Sequence, residues 1–196
     1  MKTIELICSA NHDRSPVGEL FVQQYINFMG LQELKATSSG TSLHDFRTGN
    51  VPVKGALFYI HQALALDLLS AQERRIAEAL DETNDDLITR AYLIANDKLL
   101  SLAKHQKAQA LEELGFNPRK LKSHCDQTQA QVNVAALWCM TEKHVTDVQR
   151  IYGADAPVML LDEQGDIVDP YCLGVPVYKD TIKHIWSAVQ KRIRVW

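Results

Sequence analysis

The sequence lacks several features that would place it in a specialised class of protein. Its four cysteines, at positions 8, 125, 139 and 172, are widely separated and have neither zinc-ligand nor disulfide-scaffold spacing. No uninterrupted apolar stretch approaches the roughly 20 residues that cross a bilayer, and the first residues carry no signal-peptide pattern. We therefore expect reduced thiols, no metal site, no membrane contact and a cytoplasmic location.

The sequence also has no large excess of positive or negative charge. The 196 residues contain 21 Lys and Arg against 24 Asp and Glu, which gives a net charge of -3. Because proteins that bind nucleic acid or anionic membranes usually carry a basic excess, this balance predicts neither partner. The length and the hydrophobic fraction of 46% fit one well-cored domain over 1–196.

Short apolar runs alternate with helix-like stretches at both ends of the chain. The runs have the length of buried strands, and the stretches between them repeat apolar residues at helical spacing. This alternation predicts the α/β class, with a doubly wound, four-stranded parallel sheet and helices on both faces. The predicted strands cover 3–8, 34–38, 132–140 and 156–161, and the predicted helices cover 17–29, 141–151 and 178–195.

The middle of the chain, over 54–117, has a different composition. It is rich in Ala, Leu, Glu, Lys and Gln, and Ser70-Ala-Gln-Glu73 has the pattern of a capping box. These features predict two or three helices. Periodicity does not distinguish helix from strand over 91–96, which we predict as helix. The segment 54–117 is thus predicted to be all-α.

The most informative segment runs from Cys8 to Pro16 and reads Cys-Ser-Ala-Asn-His-Asp-Arg-Ser-Pro. It places a cysteine and an arginine at the two ends of a short arc between a predicted strand and a predicted helix. Backbone N–H groups and the helix N-terminus converge on such a loop, which makes it an anion site and favours the thiolate form of Cys8. Arg14 would grip phosphate oxygens as a planar fork. Ser15 either caps the helix or hydrogen-bonds the sulfur.

The interpretation of Cys8 has a structural alternative. A cysteine at the end of a buried strand is commonly a small apolar side chain without chemistry.

A second motif supplies the general acid that a phosphatase needs. It is the triplet Asp169-Pro170-Tyr171. Its structural alternative is a turn, because Asp-Pro is common in turns. In a doubly wound sheet the loops after the first and last strands meet at the carboxyl ends of the strands.

Together these residues resemble the low-molecular-weight protein tyrosine phosphatases. That family has a Cys-x-Gly-Asn-x-Cys-Arg-Ser-Pro loop near its N-terminus and an Asp-Pro-Tyr loop near its C-terminus. Further similarity lies at Ser39-Gly40-Thr41, at the aromatic Phe46, at Ser123-His124 and over 137–140. The loop matches fall at Cys8, Asn11, Arg14, Ser15, Pro16, Asp169, Pro170 and Tyr171.

The resemblance implies a phosphatase without a cofactor, acting on a phosphorylated protein or a small aryl phosphate and releasing inorganic phosphate. Cys8 would attack phosphorus, and Asp169 would protonate the leaving group and later activate water. Phe46 and Tyr171 would flank the substrate ring, and His124 would support the loop asparagine. Phosphate would be bound by Arg14, Ser15 and the loop residues Ser9, Ala10, Asn11, His12 and Asp13.

Four positions depart from the family pattern. Ala10 replaces a glycine, so that a positive φ there would be strained. Asp13 replaces a second cysteine, and an inward-pointing carboxylate would disfavour the thiolate and repel phosphate. Gln127 stands where an arginine is common, and Cys172 stands where a second aromatic often follows Tyr171.

These departures leave two alternative functions open. One is a catalytically weakened phosphate-binding module that recruits a partner. The other is thiol-dependent arsenate reduction, for which Cys125 and Cys139 are the candidate resolving cysteines. The segment 54–117 is much longer than the corresponding segment of the family, so the resemblance implies an all-α insertion there. It could cover the site, form a homodimer surface or bind another protein, or it could be a solvated elaboration.

Overall fold

Four parallel strands form the central sheet of the computed structural model, which describes residues 1–81, 83–121 and 125–194. The strand order is β2-β1-β3-β4. Every residue of β1 after Lys2 is buried, as expected for a parallel strand that is covered on both faces. The strands are β1 (Lys2–Cys8), β2 (Leu34–Gly40), β3 (Val134–Cys139) and β4 (Val158–Leu160). The predicted sheet is confirmed.

Helices connect the strands, as the sequence predicts. Thr141 caps the helix after β3 by accepting a hydrogen bond from the His144 N–H, and the predicted capping box at Ser70 and Glu73 is present. The 91–96 segment is helical, as predicted. The helices of the described residues are α1 (Arg14–Met29), α2 (Leu43–Thr48), α3 (Val53–Ala65), α4 (Ala71–Glu78), α5 (Asp85–Glu113), α6 (Glu142–Tyr152) and α7 (Val175–Ile193), with a short 3₁₀ turn at Pro118–Lys120.

Helices cover both faces of the sheet. Successive strand residues point to opposite faces, so Leu6 and Ile7 mark the two sides of β1. Gly18 of α1 lies against Leu6, where an added Cβ would be 3.1 Å from the Leu6 side chain. On the other face, Val148 of α6 packs in one buried cluster with Ile7 and Leu137. The doubly wound arrangement follows from this division.

The chain divides into two compact units. The first contains Met1–Leu43 and Gln106–Trp196, and the second contains His44–His105. The predicted insertion over 54–117 overlaps the second unit but has different ends, since the unit begins before α3 and ends within α5. Inside the second unit, Tyr92 is fully buried and its ring lies 5.8 Å from that of Tyr59.

The last turns of α5 belong to the core of the first unit. Ala110 and Leu111 are fully buried. Just beyond the helix, the Phe116 ring packs 4.9 Å from Phe21 of α1 and 6.0 Å from Trp186 of α7. These contacts place the end of α5 in the core of the first unit.

Gly40, at the end of β2, lies in close contact with the loop that follows β1. An added Cβ would lie 2.7 Å from both the Asn11 nitrogen and the Ser9 carbonyl oxygen, closer than backbone atoms tolerate. The neighbouring Thr41 and Ser42 N–H groups donate to the carbonyls of Cys8 and Ser9, at 3.0 and 2.8 Å. Glycine at this position therefore allows the two chain segments to touch.

We expect Gly40→Ala to lower the free energy of unfolding by about 1–3 kcal/mol, the range typical of overpacking a tight site. Gly55→Ala is the matched control, because nothing lies within 4 Å of its Cβ position in α3, and it should stabilise by up to about 1 kcal/mol. Denaturant unfolding measures both. Equal stability of the two variants would contradict the close packing at Gly40.

Candidate active site

The loop between Cys8 and Arg14 turns through a left-handed residue at Asn11. Its φ is 53°, a conformation that Asn adopts more readily than most residues. Ala10 is not among the residues with positive φ, so the expected strain at that position does not arise. The substitution of the family glycine by Ala10 is therefore compatible with the loop.

Ser15 ties the loop to both neighbouring strands. Its buried hydroxyl lies 3.0 Å from Cys8 Sγ, donates to Asn11 Oδ1 at 2.8 Å and lies 3.3 Å from the Ser39 carbonyl oxygen. The Asn11 amide in turn donates to the Ser38 carbonyl at 3.1 Å. A hydroxyl has one proton, so Ser15 can accept from a Cys8 thiol while it donates to Asn11, or donate to a Cys8 thiolate.

One of the two predicted roles of Ser15 is wrong. The N-cap residue of α1 is Asp13, whose side chain makes no capping hydrogen bond, and Ser15 lies inside the first turn. The Ser15 hydroxyl does not cap the helix because it is directed at the sulfur and at Asn11. The alternative prediction, a hydrogen bond to the Cys8 sulfur, matches the geometry.

Arg14 joins the first loop to the loop before α7. Its guanidinium is almost fully buried, donates through Nη1 to the Ile167 carbonyl at 2.9 Å and donates through Nη2 to Asp169 Oδ2 at 2.6 Å. The structure therefore brings together two predicted site residues that lie 155 positions apart in the sequence.

The carboxyl of Asp169 has a raised pKa. Burial is the main cause, the neighbouring Arg14 charge opposes it, and the charge of Asp13 raises the pKa further. The side chain still exposes half of its surface. A carboxyl that is both accessible and easier to protonate than usual suits a proton donor.

Ser9 is held by a histidine that sequence reasoning missed. The Ser9 hydroxyl lies 2.9 Å from His144 Nε2, and Thr141 Oγ1 lies 2.8 Å from His144 Nδ1. Burial, with Arg14 and Lys143 nearby, lowers the pKa of His144 to about 4, so the ring is neutral at neutral pH. The signal available in the sequence is a histidine three residues after the predicted cap of the helix that follows β3.

The two loop residues before Arg14 contact other parts of the first unit. His12 Nδ1 lies 3.2 Å from the sulfur of Cys125. Asp13 is buried, and its Oδ1 lies 3.4 Å from Nζ of Lys107, a residue of α5. The same ammonium group donates to the His12 carbonyl oxygen. Sequence reasoning did not select Lys107, which lies in a segment rich in exposed polar residues.

The remaining predicted site residues are placed as follows. Tyr171 is half-buried, and its N–H donates to Asp169 Oδ1 at 3.4 Å. Phe46 belongs to the second unit, where its ring packs edge-on 6.3 Å from Tyr59. His124 lies outside the described residues. The roles predicted for these three side chains stay predictions.

Neither a metal cluster nor a membrane-spanning helix is present in the part of the chain that the structure describes. No group of three or more His, Cys, Asp and Glu side chains there could hold a metal ion. Over the same residues, none of the helices has the length and apolar character needed to cross a bilayer.

The fold and the loop place the protein in the class of parallel α/β proteins with an anion-site loop between the first strand and the first helix. The family model described as "Low molecular weight phosphotyrosine protein phosphatase" matches residues 3–194, and the chain belongs to this family of phosphatases. No curated protein matches the chain.

Solved structures share the fold at low sequence identity. One is the low molecular weight protein tyrosine phosphatase from T. tengcongensis, with a TM-score of 0.60, 16% identity and complete coverage of both chains. A second, from Vibrio cholerae O395, has a TM-score of 0.62 and 16% identity, covering 100% of this chain and 97% of that chain. A protein tyrosine phosphatase from Entamoeba histolytica has a TM-score of 0.61 and 12% identity, with coverage of 98% and 95%.

The lowered pKa of His144 makes a prediction about acid stability. Between an ordinary pKa of 6.5 and a folded value of about 4, the unfolded chain binds a proton that the folded chain does not. Stability is therefore lost as the pH falls through this window. Glutamine does not titrate, so between these pH values the free energy of unfolding of His144→Gln should fall by up to about 3 kcal/mol less than that of wild type, at 1.36 kcal/mol per pKa unit.

Denaturant unfolding of both proteins at several pH values measures this difference. The control is His105→Gln, at an exposed position, which should leave the pH dependence of stability unchanged. Parallel stability curves for wild type and His144→Gln would contradict the assignment of a buried neutral imidazole.

Proposed function

We propose that this phosphatase hydrolyses phosphotyrosine or a similar aryl phosphate through a phosphocysteine intermediate. The observation that supports it most is the contact of Arg14 with Asp169 at 2.6 Å, beside a Cys8 sulfur that lies 3.0 Å from Ser15. A nucleophile, an anion-binding fork and a proton donor are then parts of one site. These are the three groups that transfer of a phosphoryl group to a thiol requires.

In the first step Cys8 is the nucleophile. Its thiolate forms the sulfur–phosphorus bond while the bond from phosphorus to the phenolic oxygen breaks. Backbone N–H groups of residues 9–13, at the N-terminus of α1, and the Arg14 guanidinium bind the remaining phosphate oxygens. The Ser15 hydroxyl, which lies 3.0 Å from the sulfur, turns its one proton from Asn11 Oδ1 to the thiolate.

Asp169 supplies and then recovers the proton. Its protonated carboxyl gives the proton to the departing phenolate, so a neutral phenol leaves. The resulting carboxylate takes a proton from water, which attacks phosphorus, breaks the sulfur–phosphorus bond and releases inorganic phosphate. The raised pKa of the Asp169 carboxyl supports the first role. Phosphate would share the Arg14 fork, whose Nη2 now donates to Asp169.

The two alternative functions have weaker support. The weakened-module hypothesis drew on Ala10 and Asp13, but Ala10 avoids positive φ and Asp13 is paired with Lys107. Arsenate reduction needs a resolving thiolate. Burial raises the pKa of Cys139, which disfavours this candidate resolving cysteine as a thiolate. The other candidate, Cys125, has its sulfur 3.2 Å from His12 Nδ1 of the loop, and it is the residue on which the reductase alternative now rests.

The remaining parts of the proposal concern the surroundings of the site. Phe46 and Tyr171 are proposed to flank the substrate ring, and His124 to support Asn11. The segment 54–117 is proposed to be an insertion relative to the family, and the cytoplasm is the proposed location.

We expect Cys8→Ser to reduce hydrolysis of p-nitrophenyl phosphate to background, because a neutral hydroxyl replaces the thiolate. Asp169→Asn should slow phenyl phosphate by about 10²–10⁴-fold, the usual contribution of a general acid. Its effect on p-nitrophenyl phosphate should be smaller, because that leaving group is stable without a proton. The alkaline limb of the pH profile, where Asp169 loses its proton, should disappear in this variant.

Steady-state kinetics across pH measure these effects. The control is Asp155→Asn, in an exposed turn, which should match wild type. Wild-type activity no greater than that of Cys8→Ser would refute the proposed hydrolysis, and thiol-coupled turnover of arsenate would favour the reductase instead.

A further inference from the structure

The carboxyl of Asp13 is a buried charge inside the candidate phosphate loop. Asp13 is 7% exposed and directly precedes Arg14. Its side chain makes no capping bond to α1, and its Oδ1 has no hydrogen-bond partner. Burying an ion is costly unless an opposite charge accompanies it. The cation that meets this need is Lys107, 3.4 Å from Asp13 Oδ1 and itself 8% exposed.

Lys107 makes a second contact with the same loop. Its ammonium group donates to the His12 carbonyl oxygen, so it bridges two successive residues. The His12 carbonyl and the Asp13 N–H belong to one planar trans peptide and point in opposite directions. Holding the carbonyl toward Lys107 therefore directs the Asp13 N–H away from it and limits rotation of this peptide.

Lys107 lies next to a buried part of α5. Ala110 and Leu111, in the following turn of the helix, are fully buried in the first unit. In the sequence, Lys107 lies two residues after His105, the last residue of the second unit. The segment 54–117, for which a solvated elaboration was one alternative, thus contains a residue that contacts the loop.

We propose that Lys107 is a positioning residue of the phosphate site, which neutralises Asp13 and orients the His12–Asp13 peptide so that the loop accepts a phosphate dianion. The inference rests on the proposed function. Without Lys107, the Asp13 carboxylate would be an unpaired negative charge within the loop that binds the dianion, and like charges repel. Asp13 and Lys107 together replace the uncharged side chain that the family commonly has at this position.

The charge of Asp13 affects the pKa values of neighbouring groups, and a change in these pKa values can be measured when the charge is altered. It contributes to the raised pKa values of Asp169 and Cys172, in the loop before α7, and of Tyr178, in α7. Burial is the larger cause in all three. In the described residues of the first unit, Arg14 pairs with Asp169 and Lys107 pairs with Asp13 in this cluster.

A double-mutant cycle tests the proposal, using Lys107→Met, Asp13→Asn and the double variant. The measurements are the dissociation constant of inorganic phosphate by calorimetry, kcat/KM on p-nitrophenyl phosphate, and the pH profile. Lys104→Met is the matched control, an exposed lysine on the same helix. Circular dichroism confirms that each variant is folded.

We expect Lys107→Met to weaken phosphate binding and kcat/KM by about tenfold or more, as an unpaired like charge would. The double variant should regain most of that loss, because it removes the charge that Lys107 neutralises. The alkaline limb of the pH profile should move to higher pH in Lys107→Met and to lower pH in Asp13→Asn, as the pKa of Asp169 follows the charge of Asp13.

The outcomes separate this inference from the proposed function. Wild type that neither binds phosphate nor hydrolyses the ester would refute both. An active wild type with Lys107→Met equal to Lys104→Met, or a double variant as weak as Lys107→Met, would refute the inference alone. If Lys107→Met does not fold, Asp13→Asn decides the question, and an unmoved alkaline limb there would overturn the proposal.

Discussion

The candidate site depends on the hydrogen bonds of the Ser15 hydroxyl. It connects the sulfur at the end of β1, the left-handed asparagine of the loop and a carbonyl of β2. Asn11 can occupy its position because Gly40 has no Cβ to meet its backbone. Each element of the loop is therefore held by a hydrogen bond or a close contact, so the anion-binding groups are arranged before a ligand arrives, which is what preorganised electrostatic stabilisation requires.

The charges around the loop are balanced in pairs. Arg14 faces Asp169, and Lys107 faces Asp13. The buried His144 contributes no charge at neutral pH because burial lowers its pKa to about 4, and it contacts Ser9 as a neutral ring. The Asp13 carboxylate, which reads in the sequence as a departure that would weaken the site, has a buried cation within 3.4 Å. Balance of this kind allows an additional anion to bind without facing a surplus of negative charge.

Local pattern was sufficient to predict the four strands, the helices other than the short α2, and the loop from Cys8 to Arg14, because apolar spacing and a contiguous motif express short-range physics. It was not sufficient for His144 and Lys107. These residues meet Ser9 and Asp13 across 135 and 94 positions, and only the assembled core decides such pairings. Ala10 shows a different limit, since the φ of a loop residue depends on which neighbour takes the left-handed conformation, and here Asn11 does. The two roles predicted for Ser15 differed in the direction of one hydroxyl, which spacing does not encode.

Hydrolysis by the proposed route requires a covalent bond between Cys8 and phosphorus during turnover. Rapid mixing of the protein with p-nitrophenyl phosphate, followed by acid quenching and peptide mass spectrometry, detects that bond directly. We predict one phosphoryl group on the peptide that contains Cys8, formed within the first turnover and lost as inorganic phosphate appears. Turnover without a phosphoryl group on the protein, or with the group on another residue, would contradict the account.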